Sequence, residues 1–263
     1  MIKGLINKFL FKTTGYRLGK PARATVKPEF YNSQNLLYEK DVFFHQKYEE
    51  GIEKTQTPYD TKEVYFTRRR NRFYNTIQFF MNTVDLDGFV IECGCYRGLS
   101  SYMMCHHYKK VSPDFVGNEF VILDSFEGLS KPNSKDALEV GRDGSEKFFV
   151  GEGFFATPVE HVKLALSEFP QIEYVKGWVP EILYKMPLRK YKFVHIDLDL
   201  YEPILGALEY FYPLLVTNAT IVIDDYGSLY WPGAKKAVEE FCLKNKLRFL
   251  SITSGQGVII KKE

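Results

Sequence analysis

The chain is poor in cysteine, carries little net charge and has no apolar run of membrane-spanning length. It has four cysteines, and its 35 basic and 33 acidic residues leave a formal net charge of +2. The charge balance gives no argument for nucleic-acid binding, and no segment approaches the roughly 18 apolar residues of a transmembrane helix. The cysteine spacing fits neither a zinc site nor a disulfide framework, so we expect free thiols and a cytoplasmic protein.

Length and composition favour one α/β domain behind an N-terminal extension. The 263 residues are many for one domain and few for two, and a hydrophobic content of 45% is enough for a large core. We predict a basic, partly helical extension over residues 1–60 and a single domain over residues 61–263. Glycines recur through residues 125–157, and a loop of that length inside a compact domain is typical of an active-site lid.

The first twelve residues have the pattern of a short amphipathic helix. Apolar residues recur at helical spacing from Ile2 to Leu10, and Lys3, Lys8 and Lys12 flank them. The stretch is too short and too interrupted by lysine for a signal peptide. Two interpretations stay open: the helix makes a peripheral contact with a membrane surface, or it packs on the body of the protein or on the neighbouring subunit of a homo-oligomer.

From Gly88 onward, short β-branched runs alternate with helical patterns. Such alternation predicts a mostly parallel sheet with helices on both faces, in the manner of a Rossmann-like fold. A turn at residues 254–256 joins the last two strands as a hairpin, so the last strand should be antiparallel. The predicted strands are 88–92, 119–124, 172–176, the two runs that end at Asp197 and Asp224, 248–253 and 257–261; the predicted helices are 99–108, 158–168, 203–212 and 233–245.

An arginine run lies within a further helical pattern over residues 62–81. It contains Arg68, Arg69, Arg70 and Arg72. A charge run on a helix is usually a solvated face, and we interpret this one so rather than as a binding patch.

Two acidic clusters follow buried strands near the end of the chain. Asp197 and Asp199 come after one apolar run, and Asp224 and Asp225 come after the next. In an open α/β sheet the crevice at the carboxyl ends of the strands is where ligands bind. Four carboxylates that converge there repel each other unless a cation or a proton lies among them. The two clusters therefore predict a metal-assisted active site.

A glycine turn and a second acidic residue stand upstream of these clusters. The first strand runs into the segment from Glu92 to Gly98, which is neither a G-x-G-x-x-G fingerprint nor a P-loop, so a phosphate cradle is disfavoured. Asp124 ends the second strand about one βαβ unit later, where an acidic side chain commonly accepts hydrogen bonds from both hydroxyls of a ribose. Together they indicate a nucleoside-type ligand over the first half of the sheet.

This combination resembles the class I S-adenosylmethionine-dependent methyltransferases, whose first motif is E/D-x-G-x-x-x-G. Four further segments resemble the TylF/macrocin O-methyltransferase family, over about residues 60–261: residues 124–129, 176–178, 195–203 and 224–227. The resemblance implies the class I methyltransferase sheet and an enzyme that methylates sugar hydroxyls with S-adenosylmethionine and a divalent metal, Mg²⁺. The first 60 residues carry little of it.

The same resemblance implies roles for ten residues. Three carboxylates would bind Mg²⁺: Asp197, Asp224 and Asp225. Asp199 would be the general base. Six residues would surround the cofactor, with Trp178 near the adenine: Glu92, Gly94, Gly98, Asp124, Ser125 and Trp178.

Chemistry supports this division of roles. A sugar hydroxyl is a poor nucleophile near neutral pH, and a divalent cation held by carboxylates lowers the pKa of a hydroxyl that it binds. A neighbouring carboxylate can then take the proton. His195 lies within an apolar run, where a buried, hydrogen-bonded histidine is a more common finding than a catalytic one.

Two alternatives belong to other functional classes. A metal-dependent glycosyltransferase would use Asp197-Leu198-Asp199 as a D-x-D motif, and a non-catalytic relative would keep the fold as a scaffold. The order of elements favours a methyltransferase, because Glu92, the glycine turn and Asp124 precede the acidic pair. The sequence leaves the acceptor open among a glycoside, a nucleotide-linked sugar and a polysaccharide.

Overall fold

A computed structural model describes residues 40–58, 63–140 and 146–262. The predicted amphipathic helix at the N-terminus, with its membrane or subunit contact, lies outside these residues. Val42–Glu263 forms one compact unit. No helix in the described part of the chain has the length and apolarity needed to cross a membrane.

Seven strands form one mixed sheet in the order β5-β2-β1-β6-β7-β9-β8. Strands β1, β2, β5, β6 and β7 are parallel, and β9 runs antiparallel to both β7 and β8, so the predicted hairpin and antiparallel last strand are confirmed. The strands of this sheet are β1 (Phe89–Cys93), β2 (Phe120–Asp124), β5 (Glu173–Lys176), β6 (Tyr191–Ile196), β7 (Leu215–Ile223), β8 (Leu250–Ser251) and β9 (Gly257–Ile260).

In the described part of the chain six α-helices flank the sheet, and the helices predicted over residues 62–81, 99–108, 158–168, 203–212 and 233–245 are found. The six helices are α1 (Val42–Thr55), α2 (Glu63–Met81), α3 (Leu99–Val111), α4 (Val159–Ala165), α5 (Tyr201–Phe211) and α6 (Pro232–Lys244). The clearest difference from expectation is β8, which is two residues long where six were predicted. Both of its residues are exposed, so no buried face extends this edge strand.

Helices cover both faces of the sheet because side chains along a buried parallel strand alternate between them. Val194 of β6 packs in the cluster that holds α5 and α6. Its neighbour Phe193 points to the other face, where its ring lies 5.3 Å from that of Phe80 in α2. All six residues of β6 are buried.

Helix α1 packs against α3 although it precedes the predicted domain boundary at residue 60. Gly51 of α1 faces α3 so closely that an added Cβ would lie 2.7 Å from Leu99 and 2.9 Å from Tyr102. Residues 42–58 therefore belong to the compact unit.

The described residues of the predicted lid segment 125–157 carry little regular structure. It contains a 3₁₀ turn at Ser134–Asp136 and a two-stranded hairpin of β3 (Glu139–Val140) and β4 (Glu146–Lys147). Asp136 ties the segment to the sheet domain, because its carboxylate accepts the backbone N–H of Tyr201, the first residue of α5, at 2.8 Å. The segment is anchored next to the carboxyl edge of the sheet.

Candidate active site

A cavity of about 280 Å³ opens at the carboxyl edge of the sheet. Its walls come from the ends of β1, β2, β5, β6 and β7, from helix α2 and from the segment 125–157. Eight of the ten predicted site residues line it: Gly94, Asp124, Ser125, Trp178, Asp197, Asp199, Asp224 and Asp225. Glu92 and Gly98 do not line it. We call the first four lining residues the turn half and the four aspartates the acidic half.

In the turn half, backbone amides hold the Asp124 carboxylate in place. One oxygen accepts the N–H of Cys95 at 2.7 Å, and the other accepts the N–H of Phe126 at 2.7 Å. A carboxylate has about four lone-pair positions, so each oxygen can accept a further hydrogen bond from a ligand. The Ser125 hydroxyl is already engaged, because it donates to the carbonyl of Gly128 at 2.7 Å and accepts the N–H of Glu127 at 3.0 Å.

The two motif glycines serve backbone packing. Gly94 has φ 83°, and an added Cβ would lie 1.9 Å from the carbonyl oxygen of Asp197. Only glycine therefore lets the end of β1 come this close to the end of β6. Gly98 has φ 88° directly before α3, and its Cβ would press on Val162 rather than on the cavity.

Glu92 lies beneath the cavity and is fully buried. Its carboxylate accepts a hydrogen bond from Ser101 and pairs with Nδ1 of His195 at 2.8 Å, so both oxygens are engaged inside the protein. His195 is buried and hydrogen-bonded, as predicted, yet it also lines the cavity. Burial lowers the pKa of His195, but the hydrogen bond and charge of Glu92 outweigh it and raise the pKa.

In the acidic half, three carboxylates converge. One oxygen from each of Asp197, Asp199 and Asp225 lies within 4.8 Å of the others. Burial, followed by the charge of Asp225, raises the pKa of Asp197 to about 7, and burial with the charges of Asp225 and Asp197 raises that of Asp199. Oδ2 of Asp225 is buried and has no hydrogen-bond partner among the described residues. A cation-binding site has this combination of close, buried and under-neutralised oxygens.

Asp224 is held differently from the other three. Its Oδ1 accepts a hydrogen bond from Nε2 of Gln256 at 2.7 Å, and its Oδ2 forms an ion pair with Arg72. Arg72 also lies 3.2 Å from Oδ1 of Asp225. The converging oxygens thus come from Asp197, Asp199 and Asp225, whereas the predicted magnesium ligands are Asp197, Asp224 and Asp225.

The interpretation of the arginine run as a solvated face is wrong for two of its members. Arg70 is buried beside Glu49, and Arg72 reaches the acidic half. Arg69, Arg72, Phe73 and Thr76 all line the cavity, and their i, i+3, i+4, i+7 spacing places them on one face of α2. That spacing is a signal that sequence reasoning could have used. Gln256, which joins Thr76 to Asp224, carried no such signal.

An aromatic rim leads from the cavity to the surface. Phe155 and Trp231 line the cavity. The exposed ring of Phe149 contacts Trp231 at 5.4 Å and Tyr230 at 4.5 Å between centroids. The rim therefore adds aromatic surface to the mouth of the cavity.

Two solved methyltransferase structures share the fold of this chain. The calicheamicin methyltransferase CalS11 superposes with a TM-score of 0.60 at 21% identity, over 83% of this chain and 93% of that one. The O-methyltransferase NovP superposes with a TM-score of 0.59 at 21% identity, over 73% of this chain and 80% of that one. At this identity the likeness concerns the fold.

The sequence comparison then gives the family. The model of the Macrocin-O-methyltransferase (TylF) family matches residues 14–253, and the chain belongs to that family. The resemblance seen in the motifs is thereby confirmed.

Two curated relatives match about three fifths of this chain. One is the 8-demethyl-8-(2,3-dimethoxy-alpha-L-rhamnosyl)-tetracenomycin-C 4'-O-methyltransferase of Streptomyces olivaceus, 29% identical over 58% of this chain and 59% of its own length. The other is the demethyldecarbamoylnovobiocin O-methyltransferase of Streptomyces niveus, 25% identical over 61% of this chain and 60% of its own length. The chain thus spans about three fifths of the length of these relatives.

Proposed function

We propose that the protein is an S-adenosylmethionine-dependent O-methyltransferase that methylates a sugar hydroxyl with the help of a divalent cation, Mg²⁺. The observation that carries the proposal is the presence of a carboxylate at the end of β2 and an under-neutralised acidic cluster in one cavity. The family supports the reaction, and the name of one relative includes a rhamnosyl group.

The turn half fits the nucleoside part of the cofactor. Asp124 is oriented by two backbone amides and keeps lone pairs for the ribose hydroxyls. Trp178 lies in the same wall and would pack near the adenine. S-adenosylmethionine supplies the methyl group as a sulfonium. Ser125, Glu92 and Gly98 would act indirectly, by shaping the loop and the strand end, since their polar atoms or contacts are engaged within the protein.

The acidic half fits a hard divalent cation, since its donors are carboxylate oxygens and one of them, Oδ2 of Asp225, has no partner in the described part of the chain. We propose Asp197, Asp224 and Asp225 as its ligands. A cation bound there would lower the pKa of a coordinated sugar hydroxyl. Asp199 lies in the same oxygen cluster and would take the hydroxyl proton.

The aromatic rim fits the acceptor. Phe155 and Trp231 line the cavity, and aromatic ring faces suit the apolar C–H surface of a sugar ring. The identity of the sugar and of its hydroxyl does not follow from these contacts.

A glycosyltransferase fits less well. Such an enzyme must hold the diphosphate of a nucleotide-sugar, which calls for basic side chains or backbone amides. Among the described residues, the lysines and arginines that line the cavity are Arg69 and Arg72, and Arg72 is paired with aspartates. A non-catalytic scaffold would have no need of three carboxylates at close range, two of them buried.

Calorimetry and an activity assay test the proposal together. We expect S-adenosylhomocysteine to bind and UDP- or GDP-sugars not to bind. We also expect labelled methyl transfer to a glycan panel in Mg²⁺ and none in EDTA. Binding of the nucleotide-sugars alone would replace the methyltransferase by the glycosyltransferase, and full activity in EDTA would remove the metal from the mechanism.

A further inference from the structure

Arg72 occupies the acidic half in a way that none of the family motifs indicates. It extends from α2, and its Nη2 contacts Oδ2 of Asp224 and lies 3.2 Å from Oδ1 of Asp225. A guanidinium is a cation with donors suited to carboxylates. It therefore lies where positive charge is needed, among four aspartates.

Each side-chain oxygen of Asp224 already has a partner, and one of these partners is a cation. Oδ1 accepts from Gln256 and Oδ2 faces Arg72, whereas Oδ2 of Asp225 stays without a partner among the described residues. A divalent cation that takes Asp224 as a ligand would come within a few ångströms of the guanidinium charge. Like charges at that distance repel strongly inside a protein. Asp224 can join a metal site only if Arg72 withdraws.

Arg72 is placed so that it can withdraw. Its side chain is 34% exposed, while those of Asp224 and Asp225 are 11% and 6% exposed. All of its contacts with the two aspartates are made by one nitrogen, Nη2, rather than by the two-pronged fork of a bidentate pair. Rotation of this long, partly exposed side chain would therefore free Asp224 without movement of the sheet.

We propose that Arg72 is a placeholder cation, which neutralises Asp224 and Asp225 in the metal-free protein and is displaced from Asp224 when a divalent cation binds. The inference rests on the proposed function in one respect, that the acidic half binds a divalent cation. Arg72 then competes with the metal and sets its affinity. The opposite role, a fixed arginine that orients Asp224 as a ligand, requires Arg72 for tight binding.

Titration with Mn²⁺ alone separates these two roles. Free Mn²⁺ is counted by electron paramagnetic resonance in the absence of cofactor and acceptor. The proteins are the wild type, Arg72→Gln, Arg72→Lys and the matched control Arg69→Gln. Arg69 lines the same cavity from the same helix face, but it donates to the carbonyl of Pro58 and not to the aspartates. Arg69→Gln therefore removes one positive charge from the cavity, as Arg72→Gln does, but leaves the ion pair between Arg72 and Asp224 in place.

We expect Arg72→Gln to bind Mn²⁺ at least about tenfold more tightly than the wild type, since a charge-assisted contact no longer competes. Arg69→Gln should stay within about twofold of the wild type, because charge that does not touch the ligands is largely screened by salt. Arg72→Lys should fall between the wild type and Arg72→Gln. In EDTA, Arg72→Gln should melt at a lower temperature than Arg69→Gln, and saturating Mn²⁺ should remove that difference.

Three results would overturn the placeholder role: Arg72→Gln affinity equal to that of Arg69→Gln, affinity weaker than the wild type, or no loss of melting temperature in EDTA. If Arg72→Gln unfolds without metal, Arg72→Lys carries the test, and a weaker Mn²⁺ affinity than the wild type contradicts the proposal. Failure of every variant to bind Mn²⁺ would overturn the metal site itself. Binding by the wild type with no gain in Arg72→Gln would overturn the role of Arg72 alone.

Discussion

At Asp124 both carboxylate oxygens accept backbone amides at 2.7 Å, whereas at Asp225 one oxygen is buried and has no hydrogen-bond partner in the described residues. In the turn half, backbone amides thus give both Asp124 oxygens a hydrogen-bond partner without a ligand. In the acidic half the pKa values of Asp197 and Asp199 are raised. Among the described side chains, Arg72 and His195 form the ion pairs that offset the charge of Asp224, and Arg72 also pairs with Asp225. The contrast teaches that the Asp124 carboxylate is already held by the protein, while the acidic half has unmet charge, as the proposed cation site requires.

The largest expected effect is on kcat, and it follows from replacing Asp199, the proposed proton acceptor. Asp199→Asn should lower kcat by about 10²–10⁴-fold, because the amide cannot take the hydroxyl proton. Asn tolerates positive φ well, which matters since Asp199 has φ 59°. The measurement is the rate of labelled methyl transfer, with S-adenosylhomocysteine affinity taken by calorimetry. Asp87→Asn, an exposed substitution, is the control; kcat within tenfold of the wild type would remove Asp199 as the base.

A reciprocal pair of substitutions tests whether the two halves are independent. Asp124→Asn should weaken S-adenosylhomocysteine binding about tenfold or more and leave Mn²⁺ affinity unchanged, because a hydrogen bond to a charged group is lost. Asp225→Asn should weaken Mn²⁺ binding and leave the affinity for S-adenosylhomocysteine unchanged. Calorimetry with each ligand in turn measures both affinities. Loss of both ligands in either variant would show that the halves are one coupled unit.

The pH dependence of the metal-free protein tests the state of the acidic half. The pKa of Asp197 is raised from its ordinary value to about 7, so the folded protein binds a proton more tightly than the unfolded chain does. This contribution to stability is full at low pH and is lost as pH rises through about 7. In EDTA we expect the free energy of unfolding to fall between pH 5 and pH 8, by on the order of 2 kcal/mol. Asp197→Asn should flatten the profile, and a wild-type profile that rises over this range would contradict the prediction.

The smallest effect concerns the aromatic rim and leaves both halves intact. Phe155→Ala should raise the KM for the acceptor about three- to tenfold, since an apolar contact is lost, with little change in the affinity for S-adenosylhomocysteine or Mn²⁺. Phe154→Ala is a matched control, because this neighbouring ring is similarly exposed but does not line the cavity. Steady-state kinetics with a single acceptor measures the effect. Equal KM values for the two variants would exclude Phe155 from the acceptor site.

Much of the fold could be predicted because its signals are local. The buried run of β6 and the paired aspartates after it stand together in the sequence, as do the glycine turn and the start of α3. Strand β8 was predicted too long because its sequence shows β-type residues, while its exposure depends on its place at the sheet edge. The order of the strands across the sheet also needed the structure.

The candidate site likewise contains residues that local sequence signals predicted and contacts that only the structure shows. Asp124, Asp197, Asp199, Asp224 and Asp225 were predicted because each follows a strand that ends at one edge. Arg72 and Asp224 are 152 positions apart in the sequence. No local sequence pattern encodes their ion pair. Glu92 shows the converse: its motif position is plain in the sequence, but only the packing reveals that its carboxylate pairs with His195.

An anomalous difference map from a crystal grown with Mn²⁺ and S-adenosylhomocysteine tests the contrast between the two halves most directly. We predict one Mn²⁺ peak held by Asp197, Asp224 and Asp225, with Arg72 moved off Asp224 and the ribose of the cofactor product on Asp124. An acidic half without a Mn²⁺ peak, with Arg72 still paired to Asp224, would contradict a site built to receive a cation.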